Sequence, residues 1–147
     1  MNIITSKWFE CIVSYDKVQE DGTSKRVTET RTVDALTFTE AESVITDEMS
    51  KYITGVFEVK NINPAQYKEV CFTDRSKDDR WFKVKVAFIT LDEKTEKEKA
   101  NNVIYLVQAD RNETANTYIN EELGRAMLDF RIISSVETKI LDVIKHE

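Results

Sequence analysis

Two stretches of the chain alternate apolar and polar residues with the two-residue period of a strand covered on one face. In "WFECIVSYDKV", at 8–18, Phe9, Cys11, Val13 and Tyr15 share one side. In "RWFKVKVAFITL", at 80–91, Phe82, Val84, Val86 and Phe88 do the same. The first stretch runs into the turn-like "QEDGTS" at 19–24 and returns as a strand over 25–35. The second runs into the charged segment 92–101 and returns over 102–109. Two long hairpins are predicted.

The period then changes to that of a helix. "TFTE" at 37–40 has the form of a capping box, with Thr37 as the cap and Glu40 three residues on. It opens an apolar stripe of Ala41, Val44, Ile45, Met49 and Tyr52 that ends at Gly55. In the second half Asp110 with Glu113 predicts the cap, and Ala115, Tyr118, Ile119, Leu123 and Met127 form the stripe. A strand, "VFEVKNI", follows the first helix, and "DFRIISSVETKILDVI" follows the second in extended form. "AQYKEVCF" and "ETKILDVI" each predict a further short strand.

The landmarks recur in order at an offset of 73 or 74 positions. Trp8, Phe9 and Val13 fall on Trp81, Phe82 and Val86; Val33 and Ala35 fall on Val107 and Ala109. Ala41, Ile45 and Glu48 fall on Ala115, Ile119 and Glu122; Phe57 and Val70 fall on Phe130 and Val143. These matches predict an α+β protein made by tandem duplication of a β-β-α-β unit, with one helix per repeat on one face of antiparallel sheet. The repeats are expected at 1–73 and 74–147, joined in "TDRSKDD". A repeat of that length has a thin core, so the two are expected to form one unit with a shared core.

Composition narrows the chemistry. At 147 residues, 41% hydrophobic and 33% charged, the chain belongs with globular rather than disordered proteins. No apolar run approaches the roughly 18 residues that cross a bilayer, and "MNIITSKWF" does not resemble a secretory leader. Cys11 and Cys71 form no CxxC pair and are expected as buried thiols. A cytoplasmic setting with no membrane contact follows as the expectation.

The single histidine is His146. Catalysis by a nucleophile with an imidazole base needs a positioned histidine, and histidine-rich metal sites need several. With three Gly and one Pro there is no Gly-rich phosphate loop. Two carboxylate groups, Asp74, Asp78 and Asp79 at the join and Asp92, Glu93, Glu96 and Glu98 in the second hairpin loop, are expected as solvated turns. No catalytic residue, metal site or cofactor is predicted, and the protein is expected not to be an enzyme.

The face opposite the helices carries the binding candidates. Alternation puts Trp8 there in the first repeat, beside Thr28, Thr30, Thr32 and Asp34 of the returning strand. In the second it puts Trp81, Lys83 and Lys85 there, with Ile104 and Leu106 beside them and Arg80 at the rim. An aromatic flanked by lysines on an open sheet face stacks bases while the cations track phosphates. Residues 75–99 hold eight basic and six acidic side chains within a chain of net charge −6. The competing expectation is that Trp8 and Trp81 are buried at a contact and that Ile104 and Leu106 mark an interface.

The segments "WFECIVSYDK", "VDALTFTEAE", "DRWFKVKVAFITLDEK" and "SVETKILDVI" resemble a family of small proteins with a domain of unknown function, met in gut Bacteroidetes-type bacteria and in their phages and mobile elements. The resemblance spans nearly the whole chain and brings no activity, cofactor or catalytic residue. It implies a cytoplasmic setting and an accessory role, either binding single-stranded DNA or capturing a host partner or signalling nucleotide. The expected function is therefore non-catalytic binding of single-stranded nucleic acid or a nucleotide at Arg80, Trp81, Lys83, Lys85 and Trp8. The alternative is a module that binds a protein, or a second copy of itself, through an acidic surface or the patch at Trp81, Ile104 and Leu106. A virion or structural component would instead assemble without a ligand.

Overall fold

The computed structural model describes residues 2–4 and 7–145, so His146 lies outside the described residues. Among them it has nine strands and two helices. In chain order these are β1 (Asn2–Ile4), β2 (Trp8–Val18), β3 (Ser24–Asp34), α1 (Phe38–Ser50), β4 (Phe57–Ala65), β5 (Tyr67–Phe72), β6 (Arg80–Leu91), β7 (Glu98–Ala109), α2 (Asn112–Arg125), β8 (Phe130–Glu137) and β9 (Ile140–Ile144). The architecture is α+β.

Both hairpins form where the alternation predicts them. β2 and β3 pair antiparallel from Trp8↔Asp34 to Val18↔Ser24. Their turn closes because Asp21 Oδ1 accepts from the Thr23 hydroxyl at 2.6 Å and from its backbone N–H at 3.0 Å. Gly22 supplies the left-handed residue at φ +86. β6 and β7 pair from Arg80↔Ala109 to Leu91↔Glu98. Returning at Glu98 rather than 102, β7 makes this hairpin longer than the sequence pattern suggests. Asp92 ties off its loop: its backbone N–H donates to the Lys97 carbonyl and its side chain accepts from the Lys94 N–H.

The strands assemble into a five-stranded sheet, β1-β5-β7-β6-β8, and a four-stranded sheet, β4-β2-β3-β9. The terminal strands leave the hairpins that precede them. β5, from the first half, lies parallel to β7, and β9, from the second half, lies parallel to β3. Contacts accordingly divide the chain after Gln66 and after Thr138 rather than at 73/74. One unit holds β1 with Tyr67–Thr138; the other holds the stretch up to Gln66 with the stretch from Lys139.

Each sheet packs its helix against one face. Phe9, Cys11, Val13 and Val33 cluster with Ala41, Ile45 and Met49 of α1. Phe82, Val84, Val86, Tyr105 and Val107 cluster with Ala115, Tyr118, Ile119 and Leu123 of α2. At about 25 cal/mol per Å² of apolar area, both clusters contribute hydrophobic stabilisation.

The helix ends differ from the expectation. α1 starts as predicted: the Thr37 hydroxyl accepts from Glu40 N–H at 3.1 Å, and the Glu40 carboxylate accepts from Leu36 N–H at 3.2 Å. It stops at Ser50, capped by Lys51, and Tyr52 is 69% exposed rather than part of the apolar stripe. α2 is capped by Arg111 without a side-chain acceptor, not by Asp110. The Asp110 carboxylate is engaged by Thr114 instead, which holds it below the usual carboxylate range. Met127 lies beyond α2 in the left-handed conformation, φ 55, and is 92% exposed, so the stripe ends at Leu123. Pro64 lies in β4, an edge strand, the position in a sheet where proline is tolerated.

Candidate functional site

The helix-free face of the five-stranded sheet holds most of the residues singled out from the sequence. Cross-strand register sets Trp81 opposite Gln108, Lys83 opposite Leu106 and Lys85 opposite Ile104. These pairs share a face because Phe82, Val84 and Val107 between them belong to the cluster under α2. Trp81 and Leu106 are buried, while Lys83, Lys85 and Ile104 are half-buried.

Burial changes what this face can do. Trp81 is 3% exposed and meets Phe72 edge-on at 5.4 Å between centroids. Trp8, in the other unit, is 2% exposed. Neither offers a ring face to a base, so the expected base-stacking role for Trp8 and Trp81 is corrected: both are core aromatics. Leu106, fully buried, is likewise no exposed interface residue.

Lys83 and Lys85 are partly accessible. Lys83 Nζ lies 5.7 Å from the centroid of the Tyr67 ring, a cation–π contact that holds the ammonium against the sheet. Lys85 enters no ion pair among the described residues. Arg80 is separated from them. It projects to the other face, pairs with Glu137 at 3.0 Å, and lines a cleft of about 260 Å³ with Phe82, Arg111 and Asn112. Its glutamate partner occupies the guanidinium that an anion would need.

One polar site was missed. Asp78, expected in a solvated turn, is 2% exposed. Its Oδ2 accepts from the Tyr118 hydroxyl at 2.6 Å and from the Thr73 hydroxyl at 2.8 Å. Arg75 sits over the Tyr118 ring at 5.6 Å. Burial, then the hydrogen bond and charge of Asp78, push the Tyr118 phenol up to about 12. The sequence signal is faint: a tyrosine in a helical stripe where the first half has Val44. The cluster pins the β5–β6 connection to α2. The other carboxylate loop is exposed as expected, apart from a half-buried Asp92.

The cysteines are buried free thiols, and burial raises both Cys11 and Cys71 to about 12. Such thiols are protonated and unreactive at neutral pH. Among the described residues no helix is long and apolar enough to cross a membrane, and no three metal-ligating side chains converge.

With this geometry in hand, the family is decided by a model for a domain of unknown function, DUF4494, which matches residues 7–146. The chain belongs to the DUF4494 family. Neither the curated proteins nor the solved structures contain a match to it. DUF4494 membership agrees with the resemblance in giving a domain of unknown function over nearly the whole chain, and it brings no activity with it.

Proposed function

We propose that this DUF4494 protein is a cytoplasmic, non-catalytic binding protein that holds the sugar-phosphate backbone of single-stranded nucleic acid, or a nucleotide, on sheet surface. The observation that carries the reading is the pair Lys83 and Lys85. They stand two residues apart on one face of β6, half-buried, with Lys85 outside any ion pair among the described residues. A partly desolvated ammonium without a carboxylate attracts an anion more strongly than a fully solvated one. The role fits an accessory of a phage or mobile element, the setting that the resemblance implies. Matching strand orders, β4-β2-β3-β9 and β8-β6-β7-β5, support duplication of a β-β-α-β unit whose terminal strands are exchanged between the copies.

The test is fluorescence anisotropy of a labelled single-stranded 20-mer at low salt, repeated as salt is raised. Lys85→Glu together with Lys83→Glu should weaken binding at least tenfold, and wild-type affinity should fall steeply with salt. Unchanged affinity in the double variant would sink the reading.

A second reading, capture of a protein partner, is favoured by a separate observation. Met127 and Leu128 after α2, and Ile133 and Val136 on edge strand β8, are 92%, 50%, 47% and 58% exposed. A partner held by these side chains would bind with little salt dependence. Binding that survives added salt and is lost in Ile133→Lys would favour it.

A further inference from the structure

The helix-free face of the four-stranded sheet carries a cavity of about 510 Å³, lined by Ile12 of β2, Thr28, Glu29 and Thr30 of β3, Leu141 of β9, and Lys139 just before it. Ile12 and Thr30 are cross-strand neighbours, and Thr30 stands opposite Ile140 in the parallel pair. The opening is therefore built on three paired strands of one unit. We infer that this cavity receives the base of a nucleotide within a single-stranded nucleic acid, with Lys139 on its phosphate. The inference rests on the reading of the protein as a nucleic-acid binder and assigns it a second site, distinct from Lys83 and Lys85.

The lining chemistry selects that occupant. Ile12 is half-buried and Leu141 is 52% exposed, so two branched aliphatic side chains present apolar surface to a flat group. Thr28 and Thr30 supply hydroxyls that rotate to donate or to accept. They can satisfy the edge of any base, and the site is accordingly unselective for sequence. The volume suits a group the size of one nucleotide.

Charge points the same way. The Glu29 carboxylate is turned to the helix-covered side, where it accepts from Tyr15 at 3.2 Å and pairs with Arg31 at 3.0 Å. Among the lining residues Lys139 is the charge left without an ion pair among the described residues. The occupant should be apolar and flat at one end and anionic at the other. A nucleotide of a flexible strand has this form, whereas a duplex keeps its bases stacked inside.

Anisotropy with a labelled oligothymidine of about 20 nucleotides, using the full chain, tests the site. Lys139→Glu and Leu141→Glu should each weaken binding about tenfold, and Thr30→Val, which keeps the volume and removes the hydroxyl, about threefold. Lys51→Glu makes the same charge change at the C-cap of α1 and should leave affinity unchanged. All four positions are outside the core clusters, and thermal melts should coincide with wild type. If the wild type binds and Lys83→Glu with Lys85→Glu abolishes binding while the Lys139, Leu141 and Thr30 variants bind normally, the cavity is no base site and the proposed function stands. If the wild type does not bind the strand, both fail together. Thymidine monophosphate should compete only weakly; competition as strong as the strand's would overturn the assignment to a polymer.

Discussion

The two sheets place different chemistry at the same strand positions. Ile12 of β2 and Thr30 of β3 face each other on the four-stranded sheet. At the corresponding place on the five-stranded sheet stand Lys85 of β6 and Ile104 of β7. The backbone is shared: a long hairpin, a helix over one face, a short parallel strand beside the hairpin's second strand. On the helix-covered side the side chains also match, with Phe9, Val13 and Ile45 answering Phe82, Val86 and Ile119. Packing constrains the covered face in both units, since a buried position tolerates little change in volume or polarity. The helix-free faces also bury Trp8, Trp81 and Leu106, yet at the matched positions they differ: half-buried Lys83 and Lys85 on one sheet, the hydroxyls of Thr28 and Thr30 beside Ile12 on the other.

The largest test of the comparison is in the cores. Ile45 and Ile119 are at most 1% exposed and occupy matching helix positions. Ile45→Ala and Ile119→Ala should each cost about 2–5 kcal/mol in urea unfolding. A neutral result at either would mean that the two helices do not carry equivalent loads.

Smaller is the effect of the buried polar cluster at the β5–β6 connection. Tyr118→Phe should cost about 1–3 kcal/mol by leaving the buried Asp78 carboxylate with one donor fewer. It should also alter the alkaline limb. The phenol is raised from 10.0 to about 12 in the fold, so its stabilisation is complete below pH 10 and is lost as pH rises towards 12. Without the phenol, stability between pH 10 and 12 should fall less steeply; an unchanged limb would remove Tyr118 from the account.

The smallest expected effects are at the helix starts, where one cap is complete and the other is not. Thr37→Ala should destabilise by about 1 kcal/mol. Arg111→Asp supplies the acceptor that α2 lacks and should stabilise by up to about 1 kcal/mol. Opposite signs in chemical denaturation sharpen the contrast between the units; equal signs would erase it.

Much of this was legible from residue order alone. Period-two alternation located both hairpins and told the helix face from the other, because a strand buried on one side must alternate. "TFTE" located the start of α1 because its hydrogen bonds are local. Helix ends were less legible. Tyr52 and Met127 continue the apolar period past the point where the helices stop, and periodicity does not record whether a core still faces them. The candidate site was legible as a face and misleading as a set of contacts. Trp81, Lys83, Lys85 and Ile104 do share it, yet alternation says only which way a tryptophan points, not whether anything covers it.

The sequence by itself determined most of the elements and their helix-covered faces, which follow from local geometry. Tertiary structure alone decided partners. "YKEVCF" and "ILDVI" have the burial pattern of a strand beside either hairpin, and β3 and β7 offer similar edges to receive them. Which edge each one joins depends on chain connectivity and on the packing of whole sheets, neither of which is written in the period of a short strand. The same holds for Asp78, which turned from a loop carboxylate into a buried acceptor because α2 brought Tyr118 to it from 40 residues away.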